Sequence, residues 1–191
     1  MDTSLEKLIM TDVELAKLST HNQEYFGLLV ERYEPKIIRY VNRITHVTTQ
    51  DKEDIIQNIF IKAYIHINSF DISLSFNSWI YRIAHNEVID WSRRSKTKKK
   101  YGHHDVDDEI FDWTADSEHF LHQLEIKETQ IEIKKTINLL ELKYREVLYL
   151  RYIEHHSYEE IGDILRKPEG TIATLINRAK KKFKELYEHT S

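Results

Sequence analysis

Four polar side chains near the C-terminus, Thr174, Asn177, Arg178 and Lys181, stand three, four and seven positions along from the first. On a helix this spacing puts them on one face. A hydroxyl, an amide, a guanidinium and an ammonium are the groups that reach base edges and phosphates in a major groove. A second set, Trp79, Arg82, Asn86, Asp90 and Arg93, recurs at i, i+3, i+7, i+11 and i+14. An aromatic, an amide and two arginines on one stripe suit unstacked bases: the ring or guanidinium stacks and the amide reads a Watson–Crick edge. The run Arg93-Arg94-Ser95-Lys96-Thr97-Lys98-Lys99-Lys100 follows directly and would grip phosphate. In both places the plainer alternative is a solvated helix face with a basic tail. His103, His104, His119, His122, His155 and His156 show no recognised ligand spacing, and no cysteine joins them. They read as scattered surface residues, with no metal and no cofactor expected.

Each set needs an element to position it. Ser157 is a good N-cap and Glu160 completes a capping box. Ile161, Ile164 and Leu165 share one face, Pro168 stops that helix, and a second helix begins between Glu169 and Thr171. Its apolar stripe is Ile172, Ile176, Ala179 and Phe183. Two short helices across a tight turn read as a helix-turn-helix, or as an αα-hairpin with a wet face. The core beneath is expected from Ile131, Ile133, Ile137, Leu140, Val147, Leu148, Leu150, Tyr152 and Ile153, with Lys143, Tyr144 and Arg145 near phosphate. Asn77 or Ser78 caps the helix that carries Trp79, with Ile80, Ala84, Val88 and Trp91 facing inward.

Two further helices precede it. Residues 25–44 carry an apolar face interrupted by Pro35. Residues 51–67, capped by Asp51, bury Ile55, Ile56, Ile59, Phe60, Ala63, Tyr64 and Ile67. The opposite face holds Asp54, Gln57, Asn58, Ile61 and Ile65. Isoleucines amid short polar groups form either a partner site with an apolar centre or scattered exposed residues, and the residues alone leave both open. Residues 1–20 read as a weak helix or tail.

The 191 residues suffice for one ordinary domain or two small ones. Only 4 Gly and 2 Pro, with abundant helix formers, predict an all-α chain. The absence of cysteine excludes disulfides and suits a reducing cytosol. No signal peptide is expected, and no apolar stretch is long enough to span a bilayer. The net charge of −4 hides an asymmetry. Residues 21–101 hold 13 Lys/Arg against 9 Asp/Glu, and 129–191 hold 12 against 10, whereas 102–128 hold 1 against 9. Two mildly basic helical blocks are thus separated by an acidic flexible linker, which carries the apolar residues Phe111 and Trp113.

Together these motifs resemble bacterial sigma factors of the extracytoplasmic-function (ECF, group 4) class of the sigma-70 family. Asp51-Lys-Glu-Asp-Ile-Ile-Gln-Asn-Ile-Phe-Ile-Lys-Ala-Tyr64 is similar to region 2.2, which in the family binds the coiled coil of the largest RNA polymerase subunit. Phe76-Asn-Ser-Trp-Ile-Tyr-Arg-Ile-Ala-His-Asn-Glu-Val-Ile-Asp-Trp-Ser-Arg-Arg94 is similar to regions 2.3 and 2.4, which melt and read the −10 element. Tyr144-Arg-Glu-Val-Leu-Tyr-Leu-Arg151, Ser157-Tyr-Glu-Glu-Ile-Gly162 and Gly170-Thr-Ile172 are similar to region 4, which reads the −35 element. The resemblance spans about residues 22–187.

It implies two small helical domains, region 2 over 22–100 and region 4 over 128–188, joined by the acidic linker 101–127. It implies core polymerase contacts at Asp51, Asp54, Gln57, Asn58, Ile61 and Ile65. The −10 contacts would be Trp79, Tyr81, Arg82, Asn86, Asp90, Arg93 and Arg94. The −35 contacts would be Thr171, Ala173, Thr174, Asn177, Arg178 and Lys181. The implied partners are RNA polymerase core, promoter DNA (duplex at −35, single-stranded at −10) and an anti-sigma factor that can be membrane-anchored. The chain itself would be cytoplasmic and not membrane-inserted, a promoter-specificity factor with no catalysis of its own. Ala173 and Leu175 stand where the family usually has Lys or Arg, Asn58 where Glu is common, Lys167 where an apolar residue is usual, and Arg166 where Gly or Asn often closes the turn. A response-regulator type of helix-turn-helix factor would share the C-terminal half but has no need of the Trp79-to-Arg94 stripe. An enzyme is the weakest alternative, since no phosphate loop, nucleophile motif or metal set is present.

Overall fold

The computed structural model describes residues 9–45, 47–99 and 127–190. The described residues are helical throughout their regular structure and fall into two compact units, divided between Val106 and Asp107. This is the all-α architecture expected. The linker with Phe111, Trp113 and the four histidines at 103, 104, 119 and 122 lies outside the described residues. So do the side chains of Lys96, Lys98, Lys99 and Ile131.

The first unit contains α1 (Asp12–Ser19), α2 (Gln23–Ile44), α3 (Thr49–His66), a 3-10 turn (Ile67–Ser69) and α4 (Phe76–Lys99). Of the expected weak helix or tail over 1–20, the second half is instead a packed helix. Thr11 and Glu14 form a capping box at its start. Asp12 accepts from Arg32 and Tyr33 of α2, while Leu15 and Ala16 are buried. Burial, reinforced by the Asp12 hydrogen bond, pushes the Tyr33 phenol well above its ordinary range.

Helix α2 is capped by Asn22, whose side chain accepts from the Glu24 N–H at 2.9 Å. It runs unbroken through Pro35. Pro35 and Glu31 are both exposed, so the Glu31 carbonyl that loses its N–H partner faces solvent. Two caps differ from the sequence expectation. Thr48, not Asp51, caps α3: its hydroxyl oxygen accepts from the Asp51 N–H at 3.2 Å. Ser75, ahead of Asn77 and Ser78, serves α4, its hydroxyl accepting from the Ser78 N–H at 3.4 Å. The earlier start brings Phe76 into the first turn, where it is buried against Tyr33 and Phe70 with ring centroids 5.2 and 5.4 Å apart.

The core of this unit is Leu29, Ile37, Tyr40 and Val41 of α2, Ile55, Ile59 and Ala63 of α3, and Ile80, Tyr81, Ala84 and Val88 of α4. The buried stripe on α3 is narrower than its pattern suggests. Ile56 and Phe60 are half-buried and Tyr64 is exposed, as a helix contacting neighbours along one strip requires. Trp91, expected to face inward, is likewise half-buried.

The second unit contains α5 (Lys127–Leu139), α6 (Leu142–Tyr152), α7 (Tyr158–Leu165) and α8 (Glu169–Thr190). Ile133, Leu140, Val147 and Leu150 form the expected core, but Ile137, Leu148, Tyr152 and Ile153 are half-buried and Tyr149 takes an inward place. Arg145 is buried rather than available to phosphate, and Lys143 pairs with Glu141 at 2.7 Å. His156 is also buried, not a surface histidine: its Nδ1 lies 3.6 Å from Glu160, and its carbonyl accepts from Arg151.

The turn between α7 and α8 is built as its residues dictate. Ser157 accepts from the Glu160 N–H and Glu160 accepts from the Ser157 N–H, closing the capping box. Gly162 is required, because a Cβ there would lie 2.8 Å from the Lys167 carbonyl oxygen, itself fixed by the Lys167 N–H to Gly162 carbonyl bond. Arg166 ends α7 in the left-handed region, at φ 53° and ψ 50°. That conformation costs a side-chain-bearing residue about 1–2 kcal/mol. Arg166→Gly should therefore stabilise the second unit by about 0.5–1 kcal/mol after glycine's larger unfolded-state entropy is counted. Urea denaturation measures it, and a loss of stability would show that Arg166 makes a contact outweighing its strain.

Candidate partner and nucleic-acid interfaces

Helices α2 and α3 do not close fully on each other. Between them lies a cavity of about 690 Å³ with an apolar floor that includes Phe26, Val30, Ile38, Ile56 and Phe60. Glu34, Glu53 and Asp54 also line it and give it acidic character. Of the residues expected on the partner face, Asp54, Gln57 and Ile61 line this cavity, whereas Asn58 and Ile65 lie beyond it. Ile61 and Ile65 are 48% and 63% exposed, large for isoleucine in one neighbourhood. Asp51 is half-buried and accepts from the Thr48 hydroxyl at 2.7 Å. The α2 half of the cavity was not singled out in the sequence. Its only signal was that Val30 and Ile38 lie at the edges of the α2 apolar face.

On α4, Trp79, Arg82, Asn86, Asp90 and Arg93 share the expected stripe, and Asn86 and Arg93 are exposed. Trp79 packs against Phe70 and Phe76, each at 5.3 Å between ring centroids, so its ring is held rather than free. The Nε of Arg82 is buried and has no hydrogen-bond partner among the described residues, leaving an unspent donor. The neighbouring turn is folded by Asp71, whose carboxylate accepts from the Ser73 N–H and hydroxyl at 2.9 and 2.8 Å. Those bonds, the backbone one first, hold the Asp71 carboxyl below its usual range. The turn raises Ile72 and Leu74 into solvent, 49% and 38% exposed.

Tyr81 needs correction. It is fully buried and packs edge-on against Tyr40 at 5.2 Å, so it belongs to the core and not to the DNA face. One residue was missed. Glu87 is buried and accepts from Lys62 of α3 and from Arg94 at 2.8 Å. Burial alone would raise its carboxyl, but the hydrogen bonds from Lys62 and Arg94 outweigh it and hold the carboxyl below the ordinary 4.5. Its stabilising contribution is therefore present above that pH and lost as pH falls through the lowered value.

On α8, Thr171, Thr174, Asn177, Arg178 and Lys181 are all exposed, and Ala173 is half-buried. Opposite them Ile172, Ile176 and Ala179 are fully buried, which fixes the outward face, while Phe183 is half-buried against Tyr187. The Thr174 hydroxyl donates to the Gly170 carbonyl at 2.9 Å. It thus offers only lone pairs and a methyl outward, which fit an amino group or a thymine methyl on a base edge. Lys181 lies 4.0 Å from Glu185 yet remains 81% exposed, with its charge available to phosphate.

Among the described residues no helix is long and apolar enough to cross a membrane.

The model of Sigma-70 region 2 matches residues 29–98, and that of Sigma-70, region 4 matches residues 130–183. The chain is 33% identical over 189 residues to the ECF RNA polymerase sigma factor SigW of Bacillus subtilis, covering 93% of this chain and 96% of that one. It is 30% identical over 179 residues to the ECF RNA polymerase sigma-E factor of Escherichia coli, covering 90% and 91%. Its fold is similar to that of CnrH, solved in complex with the cytosolic domain of CnrY (TM-score 0.67, 23% identity, 94% of this chain and 99% of that one). It is also similar to that of the sigma factor RpoE from Bartonella quintana, solved with the anti-sigma factor NepR (TM-score 0.65, 20% identity, 85% and 96%). The chain therefore belongs to the sigma-70 family of promoter-specificity factors for transcription initiation, in its ECF class.

Proposed function

We propose that the α2–α3 cavity, with Asp54, Gln57, Asn58, Ile61 and Ile65 around it, docks the RNA polymerase core. The α4 stripe then captures the melted −10 strand, and α8 reads the −35 duplex. The units correspond to region 2 over 22–100 and region 4 over 128–188, with 101–127 as linker. The protein works in the cytoplasm without catalysis of its own. An anti-sigma partner is supported by the solved complex of a similar sigma factor with one. The observation that carries this reading is the conjunction, on α4, of a Trp79 braced by Phe70, an unspent Arg82 donor and an exposed Asn86. A factor that reads duplex alone has no use for it. In vitro transcription with core polymerase and a promoter library tests the proposal. Initiation from a distinct set of templates supports it, and output no greater than core alone refutes it.

Asn86 decides which base is accepted. Unstacking a base costs a few kcal/mol, and stacking on a ring or guanidinium returns about 1–3 kcal/mol. One captured base is therefore near break-even, and the contacts of polymerase must supply the remainder. A wrong base leaves the Asn86 amide facing groups it cannot pair. In permanganate footprinting with holoenzyme, Asn86→Ala should lose the open complex on duplex promoter and lose base preference on a pre-melted one, while −35 protection survives. Loss of −35 protection with melting untouched would sink the assignment.

A further inference from the structure

Glu87 lies between cations from two helices. Its side chain is 1% exposed, with Lys62 of α3 donating to Oε2 and Arg94 of α4 donating to Oε1 at 2.8 Å. Asp90, one turn on, stands 3.9 Å from Lys62 and 3.8 Å from Arg93. A buried carboxylate next to a DNA-binding face calls for a physical reason, because by charge alone it repels phosphate. The hydrogen bonds supply one. A carboxylate only accepts, and here each oxygen is claimed by a different helix. Lys62 fixes the carboxylate from α3, and the carboxylate in turn fixes the Arg94 guanidinium. Arg94 donates one N–H to Glu87 and is 58% exposed, so the rest of its fork remains available to solvent. A long side chain loses rotamer freedom when it grips a ligand, and one already held loses less.

We propose that Glu87 is a positioning residue: anchored by Lys62, it holds the Arg94 guanidinium ready for a backbone phosphate of the −10 strand. This rests on the reading of Arg94 as a −10 contact. The test compares holoenzymes carrying Glu87→Gln, Arg94→Ala and both, titrated with a fluorescent −10 single strand from a promoter recovered by the library experiment. Gln keeps the shape of the side chain but replaces one of the two accepting oxygens with an amino group that would face a cation. If Glu87 contributed charge alone, its neutralisation would tighten binding. Positioning gives the opposite sign: a weakening of about three- to fivefold, as for losing one partly exposed ion pair. The salt slope should fall by about one unit, as in Arg94→Ala. Glu87→Gln should add nothing in the Arg94→Ala background. Glu87→Met, apolar and of similar length, repeats the comparison should Gln perturb folding, with the same outcomes expected. Tighter binding by the Glu87 variants, or an equal loss with and without Arg94, overturns the proposal. If Arg94→Ala alone binds the strand like the parent, the −10 assignment of Arg94 falls, and the role of Glu87 falls with it.

Discussion

Tyr81→Ala should destabilise the first unit by about 3–5 kcal/mol, the range for truncating a fully buried aromatic side chain. Tyr81 is 0% exposed and its ring meets that of Tyr40 at 5.2 Å and 78°, an edge-on pair joining α4 to α2. Removal leaves a cavity between two helices that are already braced elsewhere and cannot collapse into it. The edge-on contact is lost as well, worth about 0.5–1.5 kcal/mol within that total. The effect separates two roles that the sequence could not. The motif containing Tyr81 suggests a −10 contact, whereas its burial makes it a spacer that sets the distance between α2 and α4. Tyr81→Phe keeps the ring and should leave holoenzyme affinity for the −10 strand unchanged. Denaturant unfolding of the full chain and strand binding by the Phe variant are the two measurements. A large loss of strand affinity in Tyr81→Phe would return the residue to the DNA face.

Ile61→Glu should weaken core polymerase binding by about 2–4 kcal/mol, as expected for a residue at the centre of an interface. Ile61 is 48% exposed, so the folded protein tolerates the change. In the complex the new carboxylate would be desolvated over the apolar floor formed by Ile56 and Phe60, beside Glu53 and Asp54. The desolvation arises only on docking, while in the free chain the repulsion from Glu53 and Asp54 is screened by solvent. Asp54→Arg reverses charge at the cavity and should act more on the association rate and its salt dependence than on dissociation. Competition against labelled parent for core polymerase measures both variants, with thermal melting as the control for folding. Parent-like affinity in two folded variants would remove α3 from the docking surface.

How much of this was legible in the sequence differs from element to element. The α8 face was fully legible: once Ile172, Ile176 and Ala179 are placed inward, helical geometry alone sends Thr174, Asn177 and Arg178 outward. The Ser157–Glu160 capping box was legible for the same reason, since all its partners lie within four residues. The Thr48 and Ser75 caps were not, because neighbouring Asp, Asn and Ser residues offer the same chemistry and only the backbone path chooses among them. Tyr81, a −10 contact by resemblance, and Arg145, a phosphate contact by its place at a helix start, are both buried, which spacing along their own helices does not reveal.

Sequence by itself determined the all-α class, the two helical blocks, and which residues share each outward stripe, because each depends on spacing within a single helix. Tertiary structure alone decided the α2–α3 cavity, which needs two helices to fail to close. It also decided the pairing of Lys62 with Glu87 across 25 positions of chain. Periodicity along one helix specifies which residues point the same way. It carries no information about what another helix brings opposite them, and the cavity and the buried carboxylate both arise from that second helix.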